Sequence, residues 1–168
     1  MTRWIATALL ACLVWAGGCQ GMGDVNVSRR PPRPVDEVDE IIMSLSPPTA
    51  LNWDSMPGPD GFETQVHFFQ LAEPFSVTVK GSVEFALYEG RATPQTLADA
   101  EPFHVWRFEG DELGKHLGRS IVGWGYGLRL DWGRKAPTAS SVTLLARYHP
   151  PGGQVKSSQP IHLAMRPK

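Results

Sequence analysis

Five histidines, His67, His104, His116, His149 and His162, are the side chains best suited to proton transfer or metal binding. They are scattered singly. None has a partner at the spacing of a helical zinc pair such as His-Glu-x-x-His, so the sequence gives them structural places. Nucleophile chemistry has no better footing, because there is no Gly-x-Ser-x-Gly turn. The stretch "NWDSMPGPDG" (52–61) gathers Asn52, Asp54 and Asp60, whose hard oxygens suit calcium. It lacks the alternating spacing and closing Glu of an EF-hand loop. Pro-Gly and Asp-Gly account for the same residues as turn formers. "DEVDE" (36–40) reads as a solvated face. No catalytic constellation emerges, so the sequence predicts a non-enzyme with no cofactor and no metal.

The most unusual stretch is "GWGYGLRLDW" (123–132). Glycines at alternate positions invite a phosphate-loop reading. Such a loop needs a strand-to-helix junction, where backbone N–H groups and the helix N-terminus meet the anion. No helical pattern follows here. Val122, Trp124, Tyr126, Leu128, Leu130 and Trp132 instead fall on one face in strict alternation, which predicts a strand over 121–132. Ile121, Gly123, Gly125, Gly127, Arg129 and Asp131 fall on the other. Two readings follow. In one, Trp124, Tyr126 and Trp132 are core residues and the glycine stripe lets a bulky neighbour or another backbone lie close; in the other, the glycine stripe faces a partner, or the aromatics line an exposed groove where aromatic faces stack on sugar rings. In the second reading they form a candidate binding surface together with Asp54 and Asp60.

The elements that must position these residues are short strands. "FETQVHFFQL" (62–71), "FHVWRF" (103–108), 141–149, 154–158 and 161–166 all read as extended. "FSVTVKGSVEFALYE" (75–89) alternates throughout. Phe75, Val77, Val79, Val83, Phe85 and Leu87 share one face, and Ser76, Thr78, Lys80, Ser82 and Glu84 share the other. Gly81 marks a bend or bulge in one long strand, or a tight hairpin. "EVDEIIMSL" (37–45) fits helix and strand equally. "RATPQTLADAEP" (91–102) reads as a loop, and "GDELGKHLG" (110–118) as the one short helix. The whole predicts an all-β fold, an antiparallel β-sandwich over residues 37–168. The exposed polar faces argue against a buried parallel sheet.

Composition narrows the function classes. Formal net charge is -1, without the basic footprint that nucleic acid requires. The two cysteines, Cys12 and Cys19, both lie near the N-terminus. The predicted sandwich therefore has no disulfide and no thiol nucleophile. Arg3 precedes an apolar run from Trp4 to Trp15, too short to span a bilayer, and small residues follow it. This is the pattern of a signal peptide over 1–18.

The end of that segment, "VWAGGC" (14–19), resembles the lipobox of bacterial lipoproteins, with Ala16 where leucine is favoured. The resemblance implies that Cys19 is lipidated and becomes the anchored N-terminus after cleavage. Residues 19–36 then read as a lipidated start and a tether. Its "SRRPPRP" cluster is a solvated linker, or touches acidic headgroups, or serves as a Pro-rich ligand. Gln20 is not the aspartate that retains such lipoproteins in the inner membrane, so the resemblance favours the outer membrane.

A second resemblance lies further on. "ALNWDSMPGPDGFETQVHFFQL" followed by "FSVTVKGSVEFALYEG" resembles the first strands of the small outer-membrane lipoprotein of type VI secretion systems, through Phe69, Gln70 and Leu71 at the strand end. The "GWGYG" strand has no counterpart there. The chain resembles equally an immunoglobulin-like lipoprotein of no assigned role. The resemblance to the type VI secretion lipoprotein implies a transthyretin-like sandwich that docks on a periplasmic protein. The expected function is a membrane-anchored sandwich that binds a protein partner in a cell-envelope assembly. The alternative is a carbohydrate-binding module using Trp124, Tyr126 or Trp132.

Overall fold

A computed structural model describes residues 28–165. The signal segment 1–18, Cys19 and residues 20–27 of the tether lie outside the described residues.

Two antiparallel sheets face each other. The first has the order β1 (Glu40–Leu45), β2 (Gly61–Phe69), β6 (Gly123–Asp131), β5 (Leu117–Ser120). The second runs β4 (His104–Phe108), β3 (Ser82–Glu89), β7 (Ser141–His149), β8 (Lys156–Ser157), with β9 (Ile161–Ala164) also on β7. The period-2 pattern sends Phe62, Val66 and Phe68 of β2 and Tyr126, Leu128 and Leu130 of β6 inward. They meet Val83, Phe85 and Leu87 of β3 and Val142, Leu144, Ala146 and Tyr148 of β7 in one apolar core. The antiparallel sandwich expected from the sequence is what forms. The ambiguous stretch 37–45 resolves as a strand, with Ile41 and Met43 buried and Ile42 exposed.

Four expectations are corrected. There are two short helices among the described residues. The expected loop 91–102 contains α1 (Pro94–Leu97), started by Thr93 and Pro94. Thr93 and Thr96 cap each other's backbone N–H groups. Leu97 packs with Ala86, Tyr88 and Leu145 on the outside of the second sheet. The expected helix 110–118 stops early, as α2 (Gly110–Gly114), because Leu117 to Ser120 pair with β6 as a strand. Strand 121–132 starts two residues late, since Ser120 and Gly123 pair around a turn of Ile121 and Val122.

The fourth correction concerns 75–89. Only Ser82–Glu89 belongs to the second sheet. Residues 75–80 cross to the first, where Val77 N donates to Phe68 O (2.8 Å) and Ser76 bridges to Gly123. The switch occurs at Gly81, where a Cβ would overlap the His149 carbonyl oxygen and press on the Tyr148 ring at 2.9 Å. Only glycine allows the chain to pass so close. Most of the polar face of this stretch is not solvated, Lys80 being its exposed member. Ser76, Thr78 and Glu84 are buried.

Residues 32–36 of the tether lie along this crossing segment. Thr78 Oγ1 donates to Pro32 O (2.8 Å), Val35 pairs with Val79, and Lys80 Nζ reaches Asp36 Oδ2 (2.8 Å).

Candidate functional site

The aromatic face of residues 123–132 is core for two of its three rings. Tyr126 is 2% exposed and Trp132 is 3% exposed. Tyr126 Oη accepts a hydrogen bond from Val79 N (3.0 Å), and burial pushes its pKa up. Trp132 Nε1 donates to Pro59 O (3.1 Å), and its ring meets Phe62 edge-on. Neither belongs to a binding surface, which corrects that reading: both rings are packed in the core. Trp124 is half-buried at the end of the sandwich, with Nε1 donating to Ser28 O (3.3 Å).

Asp54 and Asp60 do turn chemistry. Asp54 Oδ1 accepts from Met56 N (2.7 Å), and Asp60 Oδ2 from Trp53 N. Asn52 Nδ2 ties down the carbonyls of Met56 and Gly58. These bonds fold the 52–60 loop on itself and use one oxygen of each carboxylate.

The glycine stripe points outward, and each glycine meets a different neighbour. At Gly123 the backbone has φ +125°, and Ser76 lies so close that a Cβ would overlap its Oγ. That hydroxyl donates within reach of the Val122 and Trp124 carbonyls. Gly125 lies under the His67 ring, 2.5 Å from where a Cβ would sit. His67 Nε2 is 3.1 Å from Ser120 Oγ, and burial holds its imidazole below its ordinary pKa. Above Gly127 there is open space.

That space is the floor of a groove of about 530 Å³ on the outside of the first sheet. Register builds it: Ser44 pairs with Gln65, Gln65 with Gly127, and Glu63 with Arg129. Ser46 closes one side. The Arg129 guanidinium lies 3.9 Å from the Trp53 ring centroid, a cation–π contact that holds it at the groove margin. Hydroxyl, amide, carboxylate and guanidinium groups thus surround a bare backbone floor. Such a surface offers both donors and acceptors to an incoming chain.

The groove residues Ser44, Ser46, Glu63, Gln65 and Arg129 were missed from sequence. The outward phase of Glu63 and Gln65 is visible in the alternation of β2. Their meeting with Gly127 and Arg129 depends on register, which alternation does not supply.

The second sheet carries an ion cluster. Glu84, with its side chain 12% exposed, receives Arg107 (2.7 Å) and Arg147 (3.0 Å). Burial raises the Glu84 pKa, but the two guanidinium hydrogen bonds outweigh it and hold the carboxyl below its usual range. Arg147 also donates to Tyr88 Oη (2.7 Å). This row braces β3 against β4 and β7.

The remaining histidines disperse. His104 meets Trp106 at a tilt, His116 meets Phe108 edge-on, His149 faces Glu84 at 3.7 Å, and His162 Nδ1 is 3.1 Å from Thr143 Oγ1. Among the described residues, no three His, Cys, Asp or Glu side chains converge as a metal cluster would. No protein-family model matches this chain, and no curated protein or solved structure matches it.

Proposed function

We propose that this chain is a lipid-anchored, extracytoplasmic β-sandwich that binds a protein partner in a cell-envelope assembly and performs no chemistry of its own. The lipobox-like "VWAGGC" supports anchoring at Cys19, and multiple acyl chains there would hold the domain stably. The observation that carries the binding reading is the groove over Gly127. Its mixed donors and acceptors suit a polypeptide segment laid across the sheet. Among the described residues the most buried carboxylate, Glu84, is engaged by two arginines and braces strands. The carbohydrate reading loses Tyr126 and Trp132 to the core and keeps Trp124 alone, half-buried.

The test is a pull-down of the full-length anchored protein from detergent-solubilised envelopes, beside two variants. Cys19→Ser should leave the membrane fraction; continued sedimentation with envelopes refutes anchoring. Gly127→Trp fills the groove where nothing lies within 4 Å, so the fold should survive. It should lose a stoichiometric partner that the parent protein retains. A partner held equally by both moves the docking site away from the groove. No protein partner at all refutes the assembly reading, and quenching of tryptophan fluorescence by glycans then tests the carbohydrate alternative.

A further inference from the structure

We propose that one end of the sandwich, the end carrying Leu71, Ile121, Val122 and Trp124, rests on the surface of the bilayer that holds the anchor. The proposal rests on lipid anchoring at Cys19.

The described chain enters at this end. Ser28 O accepts from Trp124 Nε1, and Ser28, Pro32 and Val35 line a mainly apolar hollow with Phe75, Val77 and Trp124. Two loop tips flank it. One is the β5–β6 turn, where Val122 O accepts from Ser76 N (3.1 Å) beside Phe75. Its Ile121 is 91% exposed and Val122 is 43% exposed. The other is the 70–74 turn, closed by Glu73 N donating to Gln70 O (3.0 Å). Both of those residues line the hollow, and between them Leu71 is 92% exposed. Large aliphatic side chains this exposed on adjacent tips are unusual for a surface facing only water.

Covalent reach selects the occupant. Eight residues, 20–27, separate Cys19 from Ser28. Even fully extended they span about 30 Å, so this end stays near the anchored cysteine. The charges here are mixed. Arg29, Arg30 and Arg33 are exposed, and Glu37, Asp39 and Glu73 belong to the same end. Apolar insertion of the tips, not headgroup attraction, is therefore the driving term, and it is insensitive to salt. The nine-residue strands β2 and β6 lead away from this end. At about 3.3 Å per residue they hold the 52–60 loop about 30 Å further out. The groove over Gly127 then lies on the flank, open to a partner beside the anchor.

The experiment uses the full-length lipidated protein in phosphatidylethanolamine–phosphatidylglycerol vesicles with nitroxide-labelled acyl chains. The only natural cysteine of the lipidated chain is Cys19, so Leu71→Cys and Met56→Cys each present one thiol to a fluorescent probe. The probe at 71 should be quenched severalfold more than the probe at 56. Adding Ile121→Asp should cut quenching at 71 severalfold while the protein still floats with vesicles. Equal quenching at 71 and 56 overturns the orientation and leaves the anchor intact. A probe at 71 that is shielded but unquenched, increasingly so with protein density, overturns it in favour of a second copy. Failure of the parent protein to float removes the anchor, and the orientation with it.

Discussion

The three glycines of "GWGYG" allow one chemical change, Gly→Ala, to be made at three positions on one face of one strand, with three different outcomes. At Gly123 the φ of +125° is left-handed territory, costing a side chain about 1–3 kcal/mol. The new Cβ would also overlap Ser76 Oγ and stand 2.8 Å from Ser76 N, so a buried hydroxyl with two carbonyl partners must shift. The total is about 3 kcal/mol or more. At Gly125 the Cβ would stand 2.5 Å from the His67 ring and 3.0 Å from Val66 O. Overpacking of this kind costs about 1–3 kcal/mol, and the gain from removing a strand glycine offsets about 0.5–1 of it. At Gly127 no atom lies within 4 Å, so only the gain remains, about 0.5–1 kcal/mol. For a chain of this size a kcal/mol moves Tm by about 2–4 °C. Gly123→Ala should therefore melt about 6–12 °C lower, Gly125→Ala up to about 10 °C lower, and Gly127→Ala about 1–4 °C higher. Urea unfolding followed by tryptophan fluorescence reads the same order. Gly127→Ala destabilising as much as Gly123→Ala would refute the reasoning, because it would mean that the groove floor is covered. A Gly125→Ala as stabilising as Gly127→Ala would mean that His67 does not lie over that glycine.

Three further predictions concern the framework. Glu84→Gln keeps the shape but leaves two guanidinium groups without their countercharge; partial exposure of Arg107 limits the loss to about 1–3 kcal/mol, read as a lower urea midpoint with unchanged slope. The Glu84 carboxyl is depressed in the fold, so its contribution is present above its unfolded pKa of about 4.3 and lost as pH falls through the folded value; the variant's acid unfolding curve should be flatter below about pH 4. Burial depresses His67 below its unfolded pKa of about 6.5, so below that pH the unfolded chain binds more protons and stability declines; His67→Gln should remove part of that decline, and an identical pH profile would exclude His67 as its source. Thr93→Ala removes the cap of α1 and should cost about 1 kcal/mol, with faster amide exchange at Ala86 and Leu145, the strand residues under that helix.

The strand assignments came through in the sequence because alternation survives wherever one face is core, as in Phe62, Val66 and Phe68. It misled where a strand is buried on both faces. Glu84 looks solvent-facing by phase, yet Arg107 and Arg147 from neighbouring strands close over it. Their arrival from residues 23 and 63 positions away is invisible to a local pattern. The sheet switch at Gly81 was hidden for a related reason. The phase of alternation continues through the glycine, so the pattern says which way side chains point and not which sheet receives them. Leu117 shows the opposite failure: a helical local signal lost to pairing with Tyr126. The Thr93-Pro94 helix start was legible in principle, since Pro at the first helical position after a Thr cap is a local signal.

The groove was legible only in half. Sequence phase places Gly123, Gly125 and Gly127 on one outward face, but treats them alike. The structure separates them by what stands above. Gly123 is required by its backbone and by Ser76, and Gly125 by the His67 ring. Gly127 is required by neither. A strand glycine carries an entropic cost and contributes no packing, so at a position with free space the fold itself favours almost any other residue. What glycine supplies at 127 is the space, bounded by Ser44, Gln65, Glu63 and Arg129. A partner's backbone could approach the sheet there more closely than any side chain would permit. The absence of a side chain at 127, in a strand whose inner face is committed to Tyr126, Leu128 and Leu130, leaves this part of the sheet open, as the proposed docking of a partner requires.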